Sequence, residues 1–173
     1  MNTNSTRIAS VVQQLQDNLK GNIRCINAGG CGYFALMVHK ELKSYGIDSK
    51  MMLFLGTWEP PMEERYQMIE DIKNNGIENC SSGDPRYLSF SHTFVRIEVG
   101  KGRYFDFDAK HMNYRLHKWW QRDMDDIIGG HYDEEHMKYA LKYGGWNYAY
   151  DTKQNTTLKR IIKQSLKALN DEN

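Results

Sequence analysis

The chain is poor in cysteine, close to neutral, and without any long apolar run. Its three cysteines, Cys25, Cys31 and Cys80, are an odd number, unlike a secreted disulfide framework. At least one thiol is therefore free, and a reducing, cytoplasmic setting is the expectation. The formal net charge of +1 gives no global attraction to nucleic acid or to an anionic membrane. No apolar stretch approaches the roughly 20 residues that span a bilayer, and Met1 to Thr6 lacks the apolar core of a signal peptide. No repeat, low-complexity tract or linker interrupts residues 1–173, so one domain is expected, and its 40% hydrophobic content suits one core. His39, His111, His117, His131 and His136 show no ligand-like spacing, and no second pair accompanies Cys25 and Cys31, so no metal site is expected.

What the chain does hold is a cysteine among glycines. Asn27-Ala28-Gly29-Gly30-Cys31-Gly32 runs directly into a helical pattern, with Phe34, Ala35, Val38, Leu42 and Tyr45 at three- and four-residue steps and Gly46 as the stop. This predicts Cys31 in the first turn of a helix, where unpaired amides and the macrodipole favour a thiolate. Flanking glycines allow a substrate to approach the sulfur. The competing reading is a small buried residue at a tight turn.

Around it, Ile8, Val11, Val12, Leu15 and Leu19 predict an amphipathic helix over 5–20, and 47–55 reads as a buried strand. Residues 57–84 read as an insertion, with a helix opened by Pro60-Pro61 and running from Met62 to about Asn74. A strand over 88–99 and another over 103–108 are joined at Gly100-Lys101-Gly102 as a hairpin. A helical pattern then runs from Met112 through Leu116, Trp119, Trp120, Met124 and Ile127 to Gly129-Gly130. A short helix over 133–143, an edge strand over 146–150 and a last helix over 156–169, capped by Asn155, complete the chain.

A nucleophilic cysteine needs a base and a group to orient that base. His92 begins one strand of the hairpin, and Asp106 and Asp108 close the other. With an even register both carboxylates share a face with His92, whereas an odd register turns them away.

Gly30-Cys31-Gly32 at a helix start, then His92-Thr93-Phe94-Val95, then Tyr104-Phe105-Asp106, resembles the Cys-His-Asp pattern of the papain-like cysteine hydrolases, in particular their transglutaminase-like and arylamine N-acetyltransferase-like branch. The resemblance covers about residues 25–110. It implies an α+β papain-like fold, with helices, one headed by the nucleophile, packed on an antiparallel sheet. It implies Cys31 as nucleophile, His92 as base and Asp106 as the orienting acid, with Asp108 as the alternative. Papain carries a glutamine six residues before its cysteine; Cys25 stands there, and Asn27 is the candidate oxyanion donor. The 60 residues between Cys31 and His92 also exceed the compact transglutaminase-like pattern.

The expected activity is that of a thiol hydrolase or acyltransferase acting on an amide or isopeptide bond of a peptide, protein or small amide, with no cofactor. The alternatives are a non-catalytic papain-like module that binds or inhibits a protein partner, and nucleic-acid binding. The last would use Lys101, Arg103, Lys110, Arg115, Lys118 and Arg122, which are interleaved with Tyr104, Tyr114, Trp119 and Trp120. The plainer reading puts Trp119 and Trp120 in the core and the charges in water.

Overall fold

A computed structural model describes residues 3–123, 127–144 and 149–170. Apolar side chains at helical spacing build its first two helices. Helix α1 (Thr3–Leu19) buries Ile8, Val11, Val12, Leu15 and Leu19 along one stripe. Helix α2 (Cys31–Ser44) buries Phe34, Ala35, Val38 and Leu42, and ends where the amides of Tyr45, Gly46 and Ile47 bond back to Leu42 and Lys43.

Strands β1 (Ser49–Leu55), β2 (His92–Gly100), β3 (Arg103–Phe107) and β4 (Ile127–Tyr132) form one sheet in the order β3-β2-β1-β4, antiparallel throughout. Four further helices follow in chain order: α3 (Met62–Asn75), α4 (Tyr114–Asp123), α5 (Glu134–Tyr143) and α6 (Asn155–Leu166). Among the described residues the architecture is therefore α+β, with six α-helices and a four-stranded antiparallel sheet.

Alternation along the strands separates two cores. Met51, Leu53, Val95, Ile97, Phe105 and Phe107 point into the larger one, which α1, α2 and α6 cover. Met52, Phe54 and Phe94 point the other way, onto Leu116 and Trp120 of α4. Trp120 thus fills the core beneath the sheet as expected; the Trp119 side chain lies outside the description.

Several expectations change. The helical pattern from Met112 does not continue to Ile127: α4 ends at Asp123, and 127–132 is the edge strand β4, paired with β1. Gly129-Gly130 is not a helix stop. Leu53 faces Gly130 and Phe54 faces Ile128, so Gly129 is the extra residue of a bulge, and a Cβ on it would overlap the Leu55 side chain. Local spacing could not reveal this, because the partner is a strand more than 70 residues earlier in the chain. Met124 lies outside the described residues, as do 145–148, which hold most of the edge strand expected over 146–150. Residues 85–88 form a 3-10 turn, and β2 starts only at His92. Asn155 is the first helical residue of α6 and accepts a hydrogen bond from the Tyr150 hydroxyl at 2.7 Å, while Gln154 holds the cap position.

The segment 57–84 is fastened to the sheet. Arg65 is fully buried and donates to the carbonyls of Pro60, Leu88 and Ser89, just before β2. Asp71 accepts from the amides of Ser81 and Ser82, which closes the loop after α3. Met68, Ile69 and Ile72 enter the larger core.

Candidate active site

Cys31 is the first residue of α2. Gly30 at the cap position provides no side-chain cap, and the first turn holds no acidic residue. The backbone amides there keep the orientation that favours an anion. This end of α2 lies against the start of β2, since a Cβ on Gly32 would come within 3.0 Å of Phe90 Cζ.

His92, the first residue of β2, is completely buried. Its Nε2 meets Asp108 Oδ2 at 2.8 Å. Nδ1 has no hydrogen-bond partner, and Cys31 is the other group that acts on the ring. Burial alone would push the imidazole pKa down. The hydrogen bond to Asp108 and the adjacent Cys31 outweigh it and raise the value to about 9.

Asp108 lies just beyond β3, in a turn that its own carboxylate organises. Oδ1 accepts from the amides of Lys110 and His111 at 2.6 and 2.7 Å. Oδ2 receives His92, and also the side-chain amide of Asn27 at 3.3 Å. From α1, Gln16 Nε2 donates to the carbonyls of Asp108 and His111, both at 3.0 Å, and so fixes the turn from behind. Burial would raise the Asp108 pKa, but the bonds from His111 and His92 prevail and hold it well below the ordinary carboxylate range.

The carboxylate that meets His92 is thus not the one first expected. Asp106 lies directly across from Arg96, four residues along β2 from His92, or about 13 Å of strand. It forms two 2.7 Å bonds with Arg96 and one of 2.7 Å with His117. These contacts overcome the effect of burial and lower its pKa. Asp108, the alternative acid, is the carboxylate that meets His92.

The register behind this depends on one extra residue. At the turn, Gly100 faces Arg103, an even position opposite an odd one, which would point Asp106 away from His92's face. A shift between Glu98 and Gly100 passes over Val99, so that Glu98 faces Tyr104 and Arg96 faces Asp106. Even positions now face even ones, as the Cys-His-Asp arrangement requires.

No protein-family model, curated protein or solved structure matches the chain.

Two further rings pack against His92. Trp120 of α4 stacks on His92 with centroids 4.1 Å apart and planes 17° from parallel, and Phe54 lies beyond at 6.4 Å. The indole lies on the same face of the sheet as His92 and helps to exclude water from the imidazole–carboxylate bond. Sequence reasoning placed Trp120 in the core but not on His92; its apolar spacing along α4 carries no sign of the stack. Asn27, the candidate oxyanion donor, directs its amide to Asp108, so in this arrangement it supports the acid.

The glycines beside Cys31 are explained by the protein's own packing. A Cβ on Gly30 would lie 2.6 Å from the Tyr150 ring and 2.7 Å from the Ile26 carbonyl oxygen, and one on Gly32 would lie 2.8 Å from Leu141 Cδ2. Cys31 itself is only 3% exposed. The space expected for an approaching substrate is filled here by Tyr150, Leu141 and Phe90.

In the basic and aromatic stretch, Lys101, Arg103, Lys110, Arg115 and Lys118 are exposed, whereas Trp120 is buried. Tyr104 is exposed but packs against the Arg96 guanidinium, 4.8 Å from its ring centre. The side chains of Tyr114 and Arg122 lie outside the description. Among the described residues, no group of three His, Cys, Asp or Glu side chains is arranged to hold a metal ion, and no helix is long and apolar enough to cross a membrane.

Proposed function

We propose that this protein is a cysteine-dependent hydrolase or acyl-transfer enzyme of papain-like type, with Cys31 as nucleophile, His92 as acid–base and Asp108 as the orienting carboxylate. One observation carries the reading: a fully buried histidine is held by a carboxylate on one nitrogen and has a helix-heading cysteine as its other neighbour. In this reading the Cys31 sulfur attacks the carbonyl carbon of an amide or isopeptide. The Cys31 backbone N–H, in the first turn of α2, steadies the oxyanion. His92 gives its proton to the leaving amine, then takes one from the water or second amine that attacks the thioester, and the carbon–sulfur bond breaks to release Cys31. Asp108 keeps the ring oriented throughout.

The test is alkylation by iodoacetamide, with each cysteine followed by mass spectrometry. Cys31 is expected to label about tenfold faster than Cys25 despite its burial, because the adjacent imidazole and the first turn of α2 assist attack by its sulfur. His92→Ala removes that excess. Labelling of Cys31 no faster than Cys25 and Cys80 in the folded protein rejects catalysis.

The 3% exposure of Cys31 and the Tyr150 ring over Gly30 favour a second reading, in which the same fold is a non-catalytic module that binds or inhibits a protein partner. Slow labelling of Cys31 in a fully folded chain is the result expected from it.

A further inference from the structure

Behind the turn that holds Asp108 lies a half-open cleft of about 460 Å³, between α1 and residues 109–115. Leu19, Ile23, Ile26 and Met112 supply the apolar part of its lining, and Gln13 and Gln16 the uncharged polar part. Its rim is charged. Lys20, Lys110 and Arg115 stand around the mouth, opposed by the single carboxylate of Asp17, with His111 beside them. All three cations are exposed. Asp17 already accepts a hydrogen bond from Gln13 at 3.1 Å. The volume falls within the range of small-molecule sites, and the lining offers both apolar contact and hydrogen-bonding groups. Cys31 is not among the lining residues, so the cleft is distinct from the nucleophile.

The geometry points to a binding site for a small amphiphile that has an apolar body and one anionic head, either a carboxylate or a phosphate. The body lies on Ile23, Ile26 and Met112, and the head meets Lys110 and Arg115 at the rim. An uncharged ligand of the same length gains only the apolar half of these contacts. A cationic one faces three like charges and one carboxylate. The inference does not depend on chemistry at Cys31.

Calorimetric titration of the full chain with octanoate, octyl phosphate and the neutral methyl octanoate tests it, using both wild-type protein and Cys31→Ala. Single-site saturation by at least one anion, binding about tenfold weaker for the ester, and an unchanged result in Cys31→Ala are expected. The tighter of the two anions identifies the head group. Lys110→Glu with Arg115→Glu should weaken anion binding at least tenfold. If that pair of substitutions disturbs folding, amide chemical shifts of the wild-type chain decide instead, with changes expected at residues 16–26 and 109–115. Failure of both anions to saturate, an ester that binds as well as they do, or shifts confined to other residues would overturn the proposal. Loss of binding in Cys31→Ala would also overturn it, because the ligand would then belong to the nucleophile's site.

Discussion

Replacing Asp108 by alanine removes an acceptor that serves the amides of Lys110 and His111, the Asn27 side chain and the His92 ring, with the His111 ring 3.5 Å away. All of this occurs where the carboxylate and the imidazole are fully shielded from water. Taking one partner from a buried ion pair costs about 3–5 kcal/mol, because the remaining charge is left unsolvated. Two orphaned backbone amides act in the same direction, so the upper part of that range applies to Asp108→Ala. Asp108→Asn keeps an oxygen for those amides and loses the charge and the bonds with His92 and Asn27, and about half the cost is expected. Asp106→Asn weakens the pairing of a buried carboxylate with Arg96 and His117, which keep some access to water, and about 1–2 kcal/mol is expected. Urea unfolding of the three variants measures these differences. For a chain of 173 residues, 4 kcal/mol corresponds to a fall in Tm of roughly 8–16 °C. Alkylation of Cys31 provides the second axis: Asp108→Asn should lower its rate and Asp106→Asn should not. A larger loss on either axis for Asp106→Asn than for Asp108→Asn would refute the assignment of the orienting acid.

Three other outcomes follow from the same geometry. The His92 pKa is raised to about 9, so the ring keeps its proton through neutral pH and loses it as the pH rises through that value; the preference of Cys31 for iodoacetate over iodoacetamide should fall to that of Cys25 above about pH 9, and the fall should move to lower pH in Asp108→Asn. Trp120→Ala opens the stacked face of His92 and leaves a cavity among Phe54, Phe94 and Leu116, with a cost of about 3–5 kcal/mol that Trp120→Phe largely recovers, measured by denaturant unfolding. Gly32→Ala should destabilise by about 1–3 kcal/mol through its overlap with Leu141, although alanine is the better helix former by about 1 kcal/mol; in a Leu141→Ala background the same change should approach neutrality, and a double-mutant cycle without that coupling would refute the packing explanation.

Part of this protein is a local matter, and that part is legible in its residues. The stripe Ile8, Val12, Leu15 and Leu19 makes α1 wherever its partner lies, and Phe34, Val38 and Leu42 make α2 with Cys31 at its head. Asp133 caps α5 by accepting from the His136 amide, a contact within four residues. His92 at the start of one strand and two aspartates at the end of the next are likewise evident from alternation and a glycine turn.

Tertiary structure decided the rest, for three physical reasons. Register is a non-local quantity: one extra residue at Val99 changes which faces agree, and no pattern in Glu98 to Arg103 announces it. Whether 127–132 extends a helix or joins a sheet depends on the open edge of β1, so that spacing alone favoured the helix and hydrogen bonding chose the strand. Finally, Asp106 and Asp108 have the same residue type, the same face and nearly the same position. Arg96 lies directly opposite one, and the backbone turn at 108–111 with Gln16 behind it aims the other at His92. The sequence by itself determined that a cysteine, a histidine and an aspartate could converge. Which aspartate does so, beneath which tryptophan, was settled by contacts between segments far apart in the chain.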